Sequence, residues 1–137
     1  MAAPSPDPWS LLRDAAVIVL AHAHPDDETL ATGALIAELV ASGHEVHVVT
    51  ATRGERGELR PGVTDVEPGS PAYAAWRESE LAAALRALGV EHHAYLGAVA
   101  AQSGQSARAT GSARVYRDSG MEWIREGLAG PAADSGP

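Results

Sequence analysis

Two apolar runs constrain this chain more than any other feature: "AAVIVLAH" at 15–22 and the Val-rich "HEVHVVTAT" at 44–52. A continuous β-branched run such as the first belongs to a strand covered on both faces, the habit of parallel sheets. Between the two runs the pattern turns helical. From Asp27 to about Ser42, Leu35 repeats with Leu39 and Ile36 with Val40, and Gly43 supplies the stop. A second helix is predicted from about Ala72 to Leu88, with Leu81, Ala84, Leu85 and Leu88 on one face and Gly89 ending it. "VEHHAYLG" then reads as a short third strand. Strand, helix, strand, helix, strand with these connections implies parallel strands joined by right-handed crossovers. The predicted fold is α/β, a Rossmann-like three-layer arrangement around a mainly parallel sheet.

The remaining segments carry less pattern. Residues 1–13 are rich in Pro and Ser and read as a loose N-terminus, and 14–123 as the folded domain. Within that domain "RGERGELRPGVTDVEPGSP" is a loop punctuated by Gly and Pro, and "AVAAQSGQSARATGSAR" has no period. Residues 124–137 read as an irregular tail. "MAAPSPDPWSLLRD" lacks the basic start of a secretory signal, and no segment approaches the roughly 20 apolar residues of a membrane span.

Composition narrows the function. The chain has no Phe, so its core must come from Ala, Val, Leu and Ile. A formal charge of −8 with scattered arginines argues against a nucleic-acid partner, whose phosphates need clustered Lys and Arg. There is no cysteine, hence neither a disulfide framework nor a thiolate metal site. That fits a cytoplasmic protein, and it leaves His and carboxylates as the available metal ligands.

Those residue types gather where the first strand ends. "AHAHPDDETL", 21–30, joins strand to helix at the carboxyl edge of the sheet, where ligands of open α/β sheets collect. Pro25 disfavours helical geometry at His24 and keeps it extended. His24 and Asp27, three apart across a tight turn, can face one point, and imidazole with carboxylate suits Zn²⁺ and its neighbours. Asp26 between them would point elsewhere, as a general base beside metal-activated water. The plainer alternative is that Asp26 or Asp27 caps the helix. Capping accounts for one acid, but not for His24 with two adjacent acids behind a buried strand.

"AHAHPDDETL" resembles the signature of the PIG-L/LmbE-like metal-dependent N-deacetylases. "VVTATRGERGE", "WRESELAAALRALGV", "YLG" and "YRDSGM" follow in the family's order, so the resemblance covers about residues 15–123. "YRDSGM" is most similar to the branch that deacetylates N-acetylglucosaminyl-inositol in mycothiol biosynthesis, with the mycothiol-conjugate amidases as the alternative. The resemblance implies one Zn²⁺ per active site, or Fe²⁺ in its place, held by His24 and Asp27, with Asp26 as base. It implies a small amino-sugar substrate contacted by Arg77, oriented by Asp118 and approached by Glu58. Without it, Arg77 reads as a surface partner of Glu78 or Glu80, Asp118 as a turn residue, and Glu58 as loop charge.

The sequence departs from the family in one respect. The resemblance implies a further histidine ligand from a downstream motif, and this chain has no histidine after His93. Catalytic zinc ordinarily takes three protein ligands. His44, His92 and His93 fall at the opposite edge of a parallel sheet, and His47 reads as a satisfied strand residue. His22, two residues before His24, is better placed in the pocket wall than on the metal. The chain is accordingly expected to be the N-terminal portion of a longer deacetylase, with an exposed apolar edge that favours self-association.

Overall fold

The structure, a computed structural model, describes residues 7–60, 62–98 and 115–133. Helix α1 (Pro8–Arg13) leads into β1 (Val17–His22), followed by α2 (Asp27–Ala41), β2 (Glu45–Thr50), α3 (Pro71–Leu88) and β3 (His92–Tyr95). A hairpin of β4 (Met121–Arg125) and β5 (Leu128–Pro131) comes last. Strands β1, β2 and β3 form one parallel sheet in that order.

The register explains the core. Ile18 pairs with Val46 and Leu20 with Val48, so these side chains share one face. Ile36 and Leu39 of α2 and Leu81 and Leu85 of α3 close over it, with Val90 at the end of α3. The alternate residues, Val17 and Val19 among them, remain exposed on the other face. The described residues therefore build the sheet and one helical layer of the three-layer arrangement. Both crossovers place their helices on that same face, as the strand order requires.

The helix ends follow local chemistry. Ser70 caps α3 by accepting the Tyr73 N–H at 3.1 Å, and Pro71 stands at the first helical position. Gly89 ends α3 at φ +76°, where a Cβ would lie 2.9 Å from Val40 Cγ1. A larger residue there would meet both backbone strain and a packed neighbour.

Two segments differ from their reading in sequence. Residues 8–13, placed in a loose N-terminus, form α1 because Asp7 caps it, accepting the Trp9 N–H at 3.2 Å, with Pro8 next. Met121–Pro131, largely assigned to an irregular tail, forms a hairpin turning at Gly127, φ +74°. Every residue of β4 is exposed, so no apolar–polar alternation announced it. The unpatterned stretch 99–114 lies outside the described residues.

Ile36 is fully buried whereas Leu30 on the same helix is 82% exposed. Ile36→Ala should lower the unfolding free energy in urea by roughly 2–5 kcal/mol, and Leu30→Ala by less than about 0.5 kcal/mol.

Candidate metal centre and active site

The parallel register brings His22 at the end of β1 beside Thr50 at the end of β2. The chain beyond β1 stays tied to β2's extension: Thr52 N–H donates to Ala23 O at 3.0 Å, and its hydroxyl donates to the same oxygen. Extended backbone thus carries His24 over the sheet's carboxyl edge before the chain turns into α2.

That turn is held in an uncommon conformation. Asp26, the residue before α2, has φ +102°, outside the regions L side chains prefer. Such backbone costs on the order of 1–3 kcal/mol and persists only where the surroundings fix it. Here they do. Arg77 of α3 donates through Nη2 to Asp26 Oδ2 at 2.9 Å and also to Pro25 O, while its Nη1 donates to Glu80 at 3.3 Å. Burial of the guanidinium acts to lower its pKa, but the Asp26 hydrogen bond and the charges of Asp26 and Glu80 outweigh it and raise the pKa. Arg77 Nε is buried without a partner among the described residues. Gly54, at φ +65°, leaves room for this contact: a Cβ there would lie 3.1 Å from Pro25 Cδ and 3.4 Å from Arg77 Nε.

Neither aspartate serves as a conventional cap. Asp26 makes no side-chain cap hydrogen bond. Asp27 Oδ2 turns back to accept the His24 N–H at 3.0 Å, which sets it 3.7 Å from His24 Nδ1. Capping is done in reverse by Glu28, whose Oε2 accepts the Asp26 N–H at 3.0 Å and whose Oε1 accepts the Thr29 hydroxyl at 2.7 Å. Glu28 is fully buried. Sequence reasoning gave Glu28 no role; the available signal was an acid in the first helical turn able to reach back, as in a capping box.

Asp118 arrives from the far end of the chain. It is buried, and its Oδ1 lies 3.3 Å from His24 Nε2. The Arg56 N–H donates to its Oδ2 at 3.1 Å and the Gly120 N–H to its Oδ1 at 2.8 Å. Its own N–H donates to Glu55 at 3.2 Å, and Arg56 Nη1 donates to Ser119 O at 3.0 Å. Asp118 is thus more than a turn residue.

The structure brings together five of the six residues singled out in sequence: His24, Asp26, Asp27, Arg77 and Asp118. Glu58 is exposed and makes no hydrogen bond or ion pair among the described residues. The acid of that loop that reaches the site is Glu55, through the Asp118 backbone.

The histidines need one correction. His44 does lie at the amino edge, with Nδ1 3.2 Å from Ala15 O. His93, expected beside it, instead sits toward the carboxyl end, Nε2 3.1 Å from the Thr50 hydroxyl. Strand β3 is only four residues long and registers against the last four of β2, which shifts His92 and His93 along the sheet. His22 lines the wall, its Nε2 3.1 Å from the Thr32 hydroxyl. Beside His93, Tyr95 carries the Arg53 guanidinium over its ring at 4.3 Å; burial, with the Glu78 charge, pushes its hydroxyl up to about 12.

One imidazole and one carboxylate on a strand-to-helix turn are the donors a borderline divalent ion accepts. His24 and Asp27 fit that chemistry as two ligands. Asp118 stands across the ring from Asp27, facing the other nitrogen, so it is placed to orient His24 rather than to share its metal. No third His or acid clusters with His24 and Asp27 among the described residues.

The fold is a parallel α/β sheet with a histidine–carboxylate pair at its carboxyl edge, and comparison with known proteins gives its family. Residues 19–129 match the family described as PIG-L: GlcNAc-PI de-N-acetylase, and the chain belongs to that family. It is 41% identical over 121 residues to a 1D-myo-inositol 2-acetamido-2-deoxy-alpha-D-glucopyranoside deacetylase from Kineococcus radiotolerans, covering 88% of this chain and 30% of that protein. The protein of the same name from Mycolicibacterium gilvum is 44% identical over 108 residues, covering 77% and 33%. In structure it is similar to N,N'-diacetylchitobiose deacetylase from Pyrococcus horikoshii, with TM-score 0.55 and 30% identity over 66% of this chain and 32% of that one. The chain therefore spans about a third of the length of these relatives.

Glu28→Ala should leave the Asp26 N–H without its acceptor and lower the urea-unfolding free energy by about 1–3 kcal/mol. Glu28→Gln, which retains an acceptor, should cost less. Burial holds the His93 imidazole below its ordinary pKa, opposed by the charges of Glu28 and Glu78. The native state then binds fewer protons than the unfolded chain, so His93 favours folding above about pH 6.5 and that contribution is lost as pH falls through its lowered native value. His93→Gln should flatten the acid side of the stability–pH curve measured by urea unfolding.

Proposed function

We propose that the chain carries the water-activating part of a zinc-dependent N-deacetylase site acting on an N-acetylglucosaminyl conjugate. The observation that carries this is the half-exposed Asp26 carboxylate, locked by Arg77 beside the His24–Asp27 pair. His24 and Asp27 would hold the ion, Zn²⁺ or Fe²⁺, with Asp118 fixing the His24 ring. A bound divalent ion supplies Lewis acidity and brings the pKa of water toward about 7. Asp26 accepts the proton as water attacks the acetamide carbonyl. On C–N cleavage the nitrogen gains a proton, giving acetate and a free amine. Arg77 orients Asp26 through its Nη2.

The names of the relatives favour N-acetylglucosaminyl-inositol as substrate, in mycothiol biosynthesis; a mycothiol-conjugate amidase is the alternative within the family. The cysteine-free composition fits a cytoplasmic setting. No helix among the described residues is long and apolar enough to cross a membrane. A second reading, a metal-binding module without turnover, is favoured by the ligand count: two donors converge where catalytic zinc ordinarily takes three.

Acetate release from N-acetylglucosaminyl-inositol by the purified zinc-supplied chain separates these readings. Asp26→Asn should abolish release with zinc content unchanged, and Asp27→Ala should lose one zinc equivalent. Parental turnover in Asp26→Asn would remove the assignment of Asp26 as base. A zinc equivalent that is lost in Asp27→Ala, with no acetate released by the parent chain, would establish the module reading.

A further inference from the structure

The open face of the sheet carries a second set of metal-capable donors that the deacetylase site does not use. Glu45 and His47 stand two apart on β2 and so face the same side, away from Val46, Val48 and the helices. His92 is the register partner of His47 on β3. Glu45 Oε1 lies 2.6 Å from His47 Nε2 and 3.8 Å from His92 Nε2. The two imidazoles stack, centroids 4.3 Å apart and planes at 18°. One ligand atom from each of the three lies within 4.8 Å of the others. With bonds of about 2.0–2.2 Å, ligand atoms around a tetrahedral or octahedral ion stand roughly 3–3.5 Å apart. The observed spacings straddle that range. All three side chains are partly accessible, 36% for His47 and 50% for Glu45 and His92, so small rotations can close the set.

We propose that Glu45, His47 and His92 form a second divalent-metal site, on the sheet face opposite α2 and α3. Two imidazoles and one carboxylate select Zn²⁺, Cu²⁺ or Ni²⁺ over Mg²⁺ and Ca²⁺, which take oxygen donors. Water completes the coordination on this open surface. The site is separate from the first. Thr50 at the carboxyl edge lies five residue steps along the strand from Glu45, about 17 Å at the usual rise, and the sheet itself lies between the two faces.

The test uses Zn²⁺ titration by calorimetry near neutral pH on the full chain. Asp27→Ala removes the first site, and the chain carrying it should still bind one equivalent of zinc. Adding His92→Ala should weaken that binding at least tenfold, and adding both His47→Ala and His92→Ala should abolish it. Far-UV circular dichroism should be unchanged, because these side chains lie outside the core. Should a variant fail to fold, Glu45→Gln offers the same comparison without touching a histidine, with weakened binding expected. Equal zinc binding by the Asp27→Ala chain before and after any of these further substitutions would overturn the proposal. The outcome is independent of acetate release, so it stands or falls apart from the deacetylase reading.

Discussion

The grip of Arg77 on the turn between β1 and α2 is the contact on which the site depends. One guanidinium reaches a backbone carbonyl of that turn and the carboxylate that follows it. It ties α3 to the first crossover and fixes Asp26 in a backbone conformation it would otherwise leave. A lysine could supply the charge but not two directed N–H groups from a planar fork. The ion pair is therefore better understood as an element of geometry than of stability. Its carboxylate is half exposed, where solvent screens most of the attraction.

The fold was readable because its information is local. Val and Ile in unbroken runs, a four-residue apolar repeat and a glycine after each helix set five elements to within two or three residues of where they lie. The site was readable in part for the same reason: His24, Asp26 and Asp27 sit on one turn. Asp118 and Arg77 gained meaning only from family resemblance, since nothing in "RDSG" or "RESE" reveals what they touch. Glu28 and Glu55 went unassigned because their roles are made by backbone N–H groups, which carry no residue identity. Glu58 was chosen over Glu55 within one acidic loop, and only the three-dimensional path of that loop separates them.

The same limit governs the histidines. Strand length and register decided where His92 and His93 lie, and neither follows from composition. Strand β3 opens on His92, which registers against His47 in the interior of β2. At four residues it places one beside Thr50 and the other against His47, so a short strand converts two scattered histidines into parts of two different environments.

The path of the chain through the carboxyl edge has a kinetic consequence. Asp26 meets Arg77 across 51 residues of sequence, and the loop holding Asp118 meets Arg56 across 62. Contacts so far apart in sequence carry a loop-closure cost that local contacts escape, and chains rich in them fold more slowly. A chain without those contacts would own its helices yet have no assembled turn to offer an ion. Metal capture at this edge is then a property of the finished fold, and an ion bound there draws the folding equilibrium toward completion by mass action.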